Sequence, residues 1–179
     1  YIDLSESGKG FSLSHSAGEA VQDVTILAIF LLQPFFNDAD NYTFELGKGI
    51  CLKDGSDVTI VATGVMVDMA LKASELLAAK GISARVINIH TIKPLDKEII
   101  LKAAAETGAI VTAEEHNIIG GLGSAVAEAV CEGTPVPVLR VGTNDCYGHS
   151  GKVPPLLQMY GLTPENIAEK AELAISMKK

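Results

Sequence analysis

Val58-Thr59-Ile60-Val61-Ala62-Thr63-Gly64 is a β-branched, apolar run that stops at a turn signal, and it reads as a buried strand. The period then changes. Val65, Met66, Met69, Ala70, Ala73, Leu76 and Leu77 recur at helical spacing, and Lys80 and Gly81 supply a basic last turn and a left-handed C-cap. The same unit repeats downstream. Residues 84–89 form a second strand signal and 94–107 a second helix, with Pro94 suited to its start, Asp96 and Glu98 to the positive end of its dipole, and Gly108 to its stop. Residues 109–113 predict a third strand. A third helix follows from about 121–124, with Leu122, Ala125, Val126, Ala129 and Val130 on one side. Residues 136–141 predict a fourth strand, with Pro137 near its start, where a missing N–H is tolerable. The chain closes with a short helix over 154–160 and a longer one opened by Thr163 as N-cap and Pro164 as first helical residue. Strand alternating with helix predicts an open parallel sheet wrapped by helices.

Working outward from that core, residues 42–55 hold short alternating stretches and an Asp54-Gly55 turn. A tight turn reverses the chain, so residues 48–52 are expected as an antiparallel edge strand beside residues 58–62. Ahead of this lies an irregular arm, residues 1–41. Residues 1–17 are polar and rich in Gly and Ser. Residues 21–36 are apolar enough to form a strand or helix that needs a partner surface, expected on a neighbouring domain or subunit.

With 179 residues, 47% of them hydrophobic, the chain can bury a sizeable core without a disulfide or metal staple. Its net charge of −8 disfavours nucleic acid and anionic lipid as partners. The longest apolar stretch, 26–36, contains Gln33 and Pro34 and is too short to span a bilayer. The N-terminus lacks a basic segment followed by an apolar one, so a cytoplasmic chain is expected. The three cysteines, Cys51, Cys131 and Cys146, lack metal-ligand spacing and read as free thiols. Cys51 and Cys131 lie in apolar runs and are expected as small buried hydrophobes; Cys146 lies in a polar loop and is expected to be accessible.

Ligands of open α/β sheets gather beyond the carboxyl ends of the strands. There the most suggestive piece is Glu114-Glu115-His116-Asn117-Ile118-Ile119-Gly120-Gly121-Leu122-Gly123-Ser124. Its glycines expose backbone N–H groups at a helix N-terminus, which suits an anion such as phosphate or carboxylate. Alternatively they only let the loop turn sharply and the helix approach the sheet. The candidate anion-binding or interface residues are therefore Glu115, His116, Gly120, Gly121, Gly123 and Ser124. Glu114 and Glu115 point apart in an extended segment, and one of them is a candidate cap for the following helix or a bond across an interface. His116 has no evident nucleophile or oxyanion partner. No catalytic or metal-binding residue is assigned.

Taken in order, residues 57–64, 84–96 and 112–124 resemble the C-terminal domain of transketolases, and the similarity covers about 42–179. The nearest flavour is the separately encoded C-terminal subunit of split bacterial and archaeal enzymes. Deoxyxylulose-phosphate synthase and the β subunits of 2-oxoacid dehydrogenases share the fold, but usually lack the Glu115-His116-Asn117-Ile118-Ile119 run. The resemblance implies a three-layer α/β/α sandwich around a mostly parallel five-stranded sheet with one antiparallel strand. It implies two-carbon ketol transfer between sugar phosphates, with thiamine diphosphate and magnesium held by an N-terminal and a middle domain. It implies an N-terminal subunit or middle domain as partner, and a homodimer. The C-terminal domain itself supports dimerisation and packing, so the isolated chain is expected to be inactive.

Overall fold

The computed structural model describes residues 45–178. The arm 1–41 and the expectation that its apolar part packs on a neighbouring domain or subunit lie outside the described residues.

Five strands form one sheet: β1 (Ile50–Lys53), β2 (Val58–Ala62), β3 (Ala84–Asn88), β4 (Ile110–Asn117) and β5 (Val138–Thr143), in the order β1-β3-β2-β4-β5. All pairs are parallel except β1 with β3. The helices are α1 (Met66–Ala78), α2 (Lys97–Thr107), α3 (Leu122–Glu132), α4 (Val153–Met159) and α5 (Pro164–Ser176). One face of the sheet is covered by α1 and α5, around Val58, Ile60, Met66, Leu77, Val86 and Ile167. The other is covered by α2 and α3, around Val61, Ile87, Ile100, Ile110, Leu122 and Val126. This is the three-layer sandwich that the family resemblance implies. Every residue of β2 is buried because it lies mid-sheet under both layers, and that is why it reads as a continuous apolar run and not as an alternation.

The antiparallel edge strand exists, but its neighbour is β3, not β2. The Asp54-Gly55 connection is no hairpin turn. It crosses the amino end of β3, where a Cβ on Gly55 would stand 2.4 Å from the backbone of Ala84 and Arg85. Side chains tie the crossing down: Asp57 accepts from the Ser83 amide at 2.7 Å, and Arg85 Nε donates to Asp54 at 2.9 Å. Sequence adjacency suggested a hairpin; the bonds to β3 fix a crossover.

Two further expectations are corrected. The second helix starts at Lys97, not at Pro94, which follows a cis peptide bond. Asp96 is the N-cap instead, accepting from the Ile99 amide at 3.3 Å and also from the Gly49 amide at 2.9 Å. Cys51 and Cys131 are exposed, like Cys146. An apolar run on an edge strand, or at the last turn of an amphipathic helix, has a side facing solvent, and both thiols lie there. Thr163 caps α5 as expected, accepting from the Asn166 amide at 3.3 Å.

Candidate functional site

Parallel strands place their carboxyl ends along one rim, and every predicted site residue lies there. β4 runs past its neighbour β2, and its pairing with β5 is irregular between Ala113 and Asn117. That irregularity fits over Gly142, where a Cβ would meet the His116 carbonyl oxygen at 2.8 Å. Beyond it the chain turns through residues 118–121 into α3.

Glu114 decides what this turn can do. It is 1% exposed, yet both carboxylate oxygens are engaged: Oε2 accepts from the Leu122 amide at 2.6 Å and Oε1 from the Gly123 amide at 2.8 Å. A helix N-terminus offers amides without internal partners and a positive dipole end. Here the carboxylate they cradle belongs to the chain itself. Gly121 lies so close over it that a Cβ would be 2.0 Å from Oε2. Gly123 lets α3 approach the sheet, since a Cβ there would be 2.8 Å from Arg140 and 2.9 Å from Thr112 Oγ1. The glycines thus serve a sharp turn and a close helix–sheet approach.

The rest of the loop is also internally bonded. The Gly120 amide donates to Ser124 Oγ at 2.8 Å, and Gly120 itself has φ +81°, where glycine is favoured. Asn117 Nδ2 donates to Asp145 at 2.8 Å, and Asn117 Oδ1 accepts from the Ile119 amide at the same distance. Arg140 donates to the Ile118 carbonyl at 2.9 Å. What remains outward is side-chain surface: Glu115, His116 and Ile119, with Ile119 62% exposed. Glu115 and His116 are therefore brought to the same exposed corner as Gly120, whereas Gly121, Gly123 and part-buried Ser124 belong to its interior.

Two further polar groups lie on the same rim. Asn88, at the end of β3, is buried with its Oδ1 lacking a hydrogen-bond partner among the described residues. His90 follows it and is part-buried, with Nδ1 2.9 Å from Thr91 Oγ1. Burial pushes the His90 imidazole below the usual histidine value, partly opposed by a backbone hydrogen bond involving Lys48.

The thiamine diphosphate implied by the resemblance can be tested against this geometry. A diphosphate needs donors and positive charge, but at the one helix end rich in glycine the Leu122 and Gly123 amides already hold a buried carboxylate. A second anion would meet Glu114 as a like charge, so the described residues do not fit the cofactor here. Among them, no group of three or more His, Cys, Asp or Glu residues could hold a metal ion. No helix in the described region is long and apolar enough to cross a membrane.

Fold and rim together define an open α/β domain whose glycine-rich helix entry is closed by its own glutamate. Residues 47–167 match the family model "Transketolase, C-terminal domain", and the chain belongs to that family. It is 52% identical over 134 residues to the 6-deoxy-6-sulfo-D-fructose transketolase subunit SqwH of Clostridium sp. (strain MSTE9), a match covering 75% of this chain and 42% of that protein. It is 50% identical over 139 residues to the 1-deoxy-D-xylulose-5-phosphate synthase of Heliobacterium modesticaldum, covering 76% of this chain and 22% of the synthase. Among solved structures it is similar to a split-gene transketolase described as an inactive β4 tetramer, with TM-score 0.73 and 47% identity over 78% of this chain and 44% of that one. The chain thus matches less than half the length of each of these relatives.

Proposed function

We propose that this chain is the C-terminal part of a thiamine-diphosphate-dependent transketolase that moves a two-carbon ketol unit between sugar phosphates in the cytoplasm, within pentose phosphate and related carbohydrate metabolism. In this reading it supports assembly and dimerisation, while other polypeptide supplies the thiamine diphosphate and magnesium sites. That polypeptide is an N-terminal subunit and a middle domain. The observation that carries the reading is the Glu114 clamp. It occupies the Leu122 and Gly123 amides and braces residues 115–120 as a corner whose exposed side chains, Glu115, His116 and Ile119, suit protein contact. Membership of the transketolase C-terminal family, and the subunit status of the Clostridium relative, support the same reading.

The test is calorimetric titration of the purified chain with thiamine diphosphate and magnesium, followed by mixing with a split-transketolase polypeptide carrying the N-terminal and middle domains. No heat with the chain alone, and ketol transfer that depends on both polypeptides, are the expected results. Stoichiometric cofactor binding by the chain alone would overturn the division of labour.

The similarity to a deoxyxylulose-phosphate synthase favours a second reading, as the C-terminal domain of that enzyme class. The two differ in product, since the synthase reading predicts 1-deoxy-D-xylulose 5-phosphate. The reconstituted complex should therefore transfer the ketol unit between sugar phosphates and form no 1-deoxy-D-xylulose 5-phosphate.

A further inference from the structure

The chain leaves β2 through Thr63, Gly64 and Val65 and enters α1. The Thr63 amide donates to the Ala113 carbonyl at 3.2 Å, and the Met66 and Val67 amides close the first turn on the Thr63 and Gly64 carbonyls at 3.3 and 3.2 Å. Between them, the Gly64 and Val65 amides make no hydrogen bond among the described residues, and no side chain caps the helix. Gly64 has φ +59°, and a Cβ there would meet nothing within 4 Å, so the turn opens outward. Orphan amides are common at helix starts; what marks this one is Asn88. It pairs in register with Ala62, and its chain neighbours Ile87 and Ile89 face the α2–α3 layer. Strand side chains alternate, so Asn88 faces α1, at the sheet end where α1 begins. It is 1% exposed, and its Oδ1 lacks a hydrogen-bond partner. The winding of the sheet also reverses here: α1 leads to β3 over one face, and α2 leads back past β2 to β4 over the other. Crevices at such reversals are where open α/β sheets take ligands.

We propose that the entry to α1 binds a small oxyanion that carries a hydroxyl, either a protonated phosphate group or a hydroxy-carboxylate. Its charged oxygens accept from the Gly64 and Val65 amides at the positive end of the helix dipole. Its hydroxyl donates to Asn88 Oδ1, an acceptor without a donor, reached by a turn of the carboxamide about its soft terminal torsion. The start of α3 shows the contrasting case. There the chain's own Glu114 fills the Leu122 and Gly123 amides, at 2.6 and 2.8 Å. Beneath α1 the strand ends in a carboxamide, which brings no negative charge. Asp68, the acid of the first turn, is bonded to Lys72 at 2.6 Å. The charge that completes this helix end therefore comes from a ligand. The proposal does not rest on the transketolase reading, which cofactor titration tests separately.

The test is an amide NMR titration of the full chain near neutral pH with inorganic phosphate, sulfate, glycolate and acetate, at matched ionic strength. Phosphate and glycolate carry a hydroxyl; sulfate and acetate offer the charged oxygens without one. The Gly64 and Val65 signals should shift saturably with a hydroxyl-bearing anion, at least about tenfold more tightly than with its partner, while Leu122 and Gly123 stay in place. Phosphate above sulfate assigns a phosphate source, and glycolate above acetate a hydroxy-acid. Asn88→Leu, which keeps the bulk and removes the acceptor, should bring the favoured anion down to the level of its partner. A titration with no saturable shift at Gly64 and Val65 overturns the proposal and leaves Asn88 a packing residue. Sulfate and acetate binding as tightly as phosphate and glycolate overturns it too. Should Asn88→Leu fail to fold, Val65→Pro decides. Val65 has φ −61°, which suits proline, and its amide has no bond to lose. Removing that donor should weaken the favoured anion about tenfold. An unchanged affinity would place the anion elsewhere and refute the site.

Discussion

Replacing Gly121 with alanine adds one methyl group, and its cost can be worked from the loop alone. The residue has φ −95° and ψ −152°, a conformation that any L residue adopts, so the backbone contributes no strain. The entire effect is contact. The new Cβ would be 2.0 Å from Glu114 Oε2, 2.8 Å from its Cδ and 3.1 Å from the Asn117 carbonyl oxygen. Glu114 cannot stay, and moving it breaks two charge-assisted hydrogen bonds worth about 1.5–3 kcal/mol each. It also leaves a buried carboxylate without compensation, and such losses total about 3–5 kcal/mol in practice.

For the described residues 45–178, an unfolding entropy of about 2.1 cal/mol/K per residue makes each kcal/mol worth about 3.6 °C, so a fall in Tm of about 11–18 °C is expected. Differential scanning calorimetry of the purified variant measures it. Gly121→Val should be at least as damaging. The control is Gly64→Ala, at φ +59° with nothing within 4 Å of the added atom, which should cost only about 1 kcal/mol of backbone strain. A double variant sharpens the argument. With Glu114→Ala in place the clash partner is gone, so adding Gly121→Ala should cost little more, a non-additivity of several kcal/mol. If Gly121→Ala melts within a few degrees of wild type, or the double variant is additive, the clamp is not what holds this loop.

Other expectations can be checked on the same instruments. Asp96→Ala should cost about 2–3 kcal/mol because Asp96 both caps α2 and accepts from Gly49, whereas Thr163→Ala, a cap with one bond, should cost about 1 kcal/mol. Urea melts resolve the difference. Gly55→Ala meets backbone of Ala84 and Arg85 at 2.4 Å, while Gly133→Ala meets the movable end of Leu101 at 2.6 Å. The first should therefore be the more destabilising of the pair by chemical denaturation. His90 adds a pH dependence. Its folded-state pKa lies below the ordinary 6.5, so the folded chain binds fewer protons than the unfolded one. The stabilisation is fully present above pH 6.5 and is lost as the pH falls from there through the folded value. His90→Gln should flatten that slope in denaturant melts between pH 8 and 5; an unchanged slope would remove the assignment.

The sequence made the layers legible because period is set by packing. β2 is a run of β-branched residues because both faces are covered, and α1 keeps helical spacing because one side is buried. Order within the sheet was harder. A chain of short connections suggests that β1 sits beside β2, and only the third dimension shows Gly55 lying across the backbone of β3. Burial of Cys51 and Cys131 fails for a related cause, since a window of apolar neighbours does not report which side of an edge strand or helix a residue takes.

The candidate site was half legible, and the missing half is instructive. A glycine-rich helix start signals exposed amides, but not what satisfies them. An anion seeking the Leu122 and Gly123 amides would have to displace Glu114, eight residues ahead of Leu122 in sequence and 2.6 Å away in space. That spacing follows from geometry: β4 ends pointing at the rim, the loop reverses, and the first turn of α3 comes back over the strand it left. A buried acid at the end of such a strand, followed after a Gly-Gly turn by a helix, is therefore itself a sequence signal. It says that two amides of the helix end are already taken, while Glu115, His116 and Ile119 of the loop stay exposed. Glu114→Gln tests this distinction from the clamp side. The amide group would set an N–H against a backbone N–H and lose one of the two bonds, so the loop should loosen, with faster exchange at Leu122 and Gly123. Any loss of assembly with the proposed partner polypeptide should follow that loosening. Assembly unaffected by a demonstrably loosened loop would place the contact surface elsewhere on the domain.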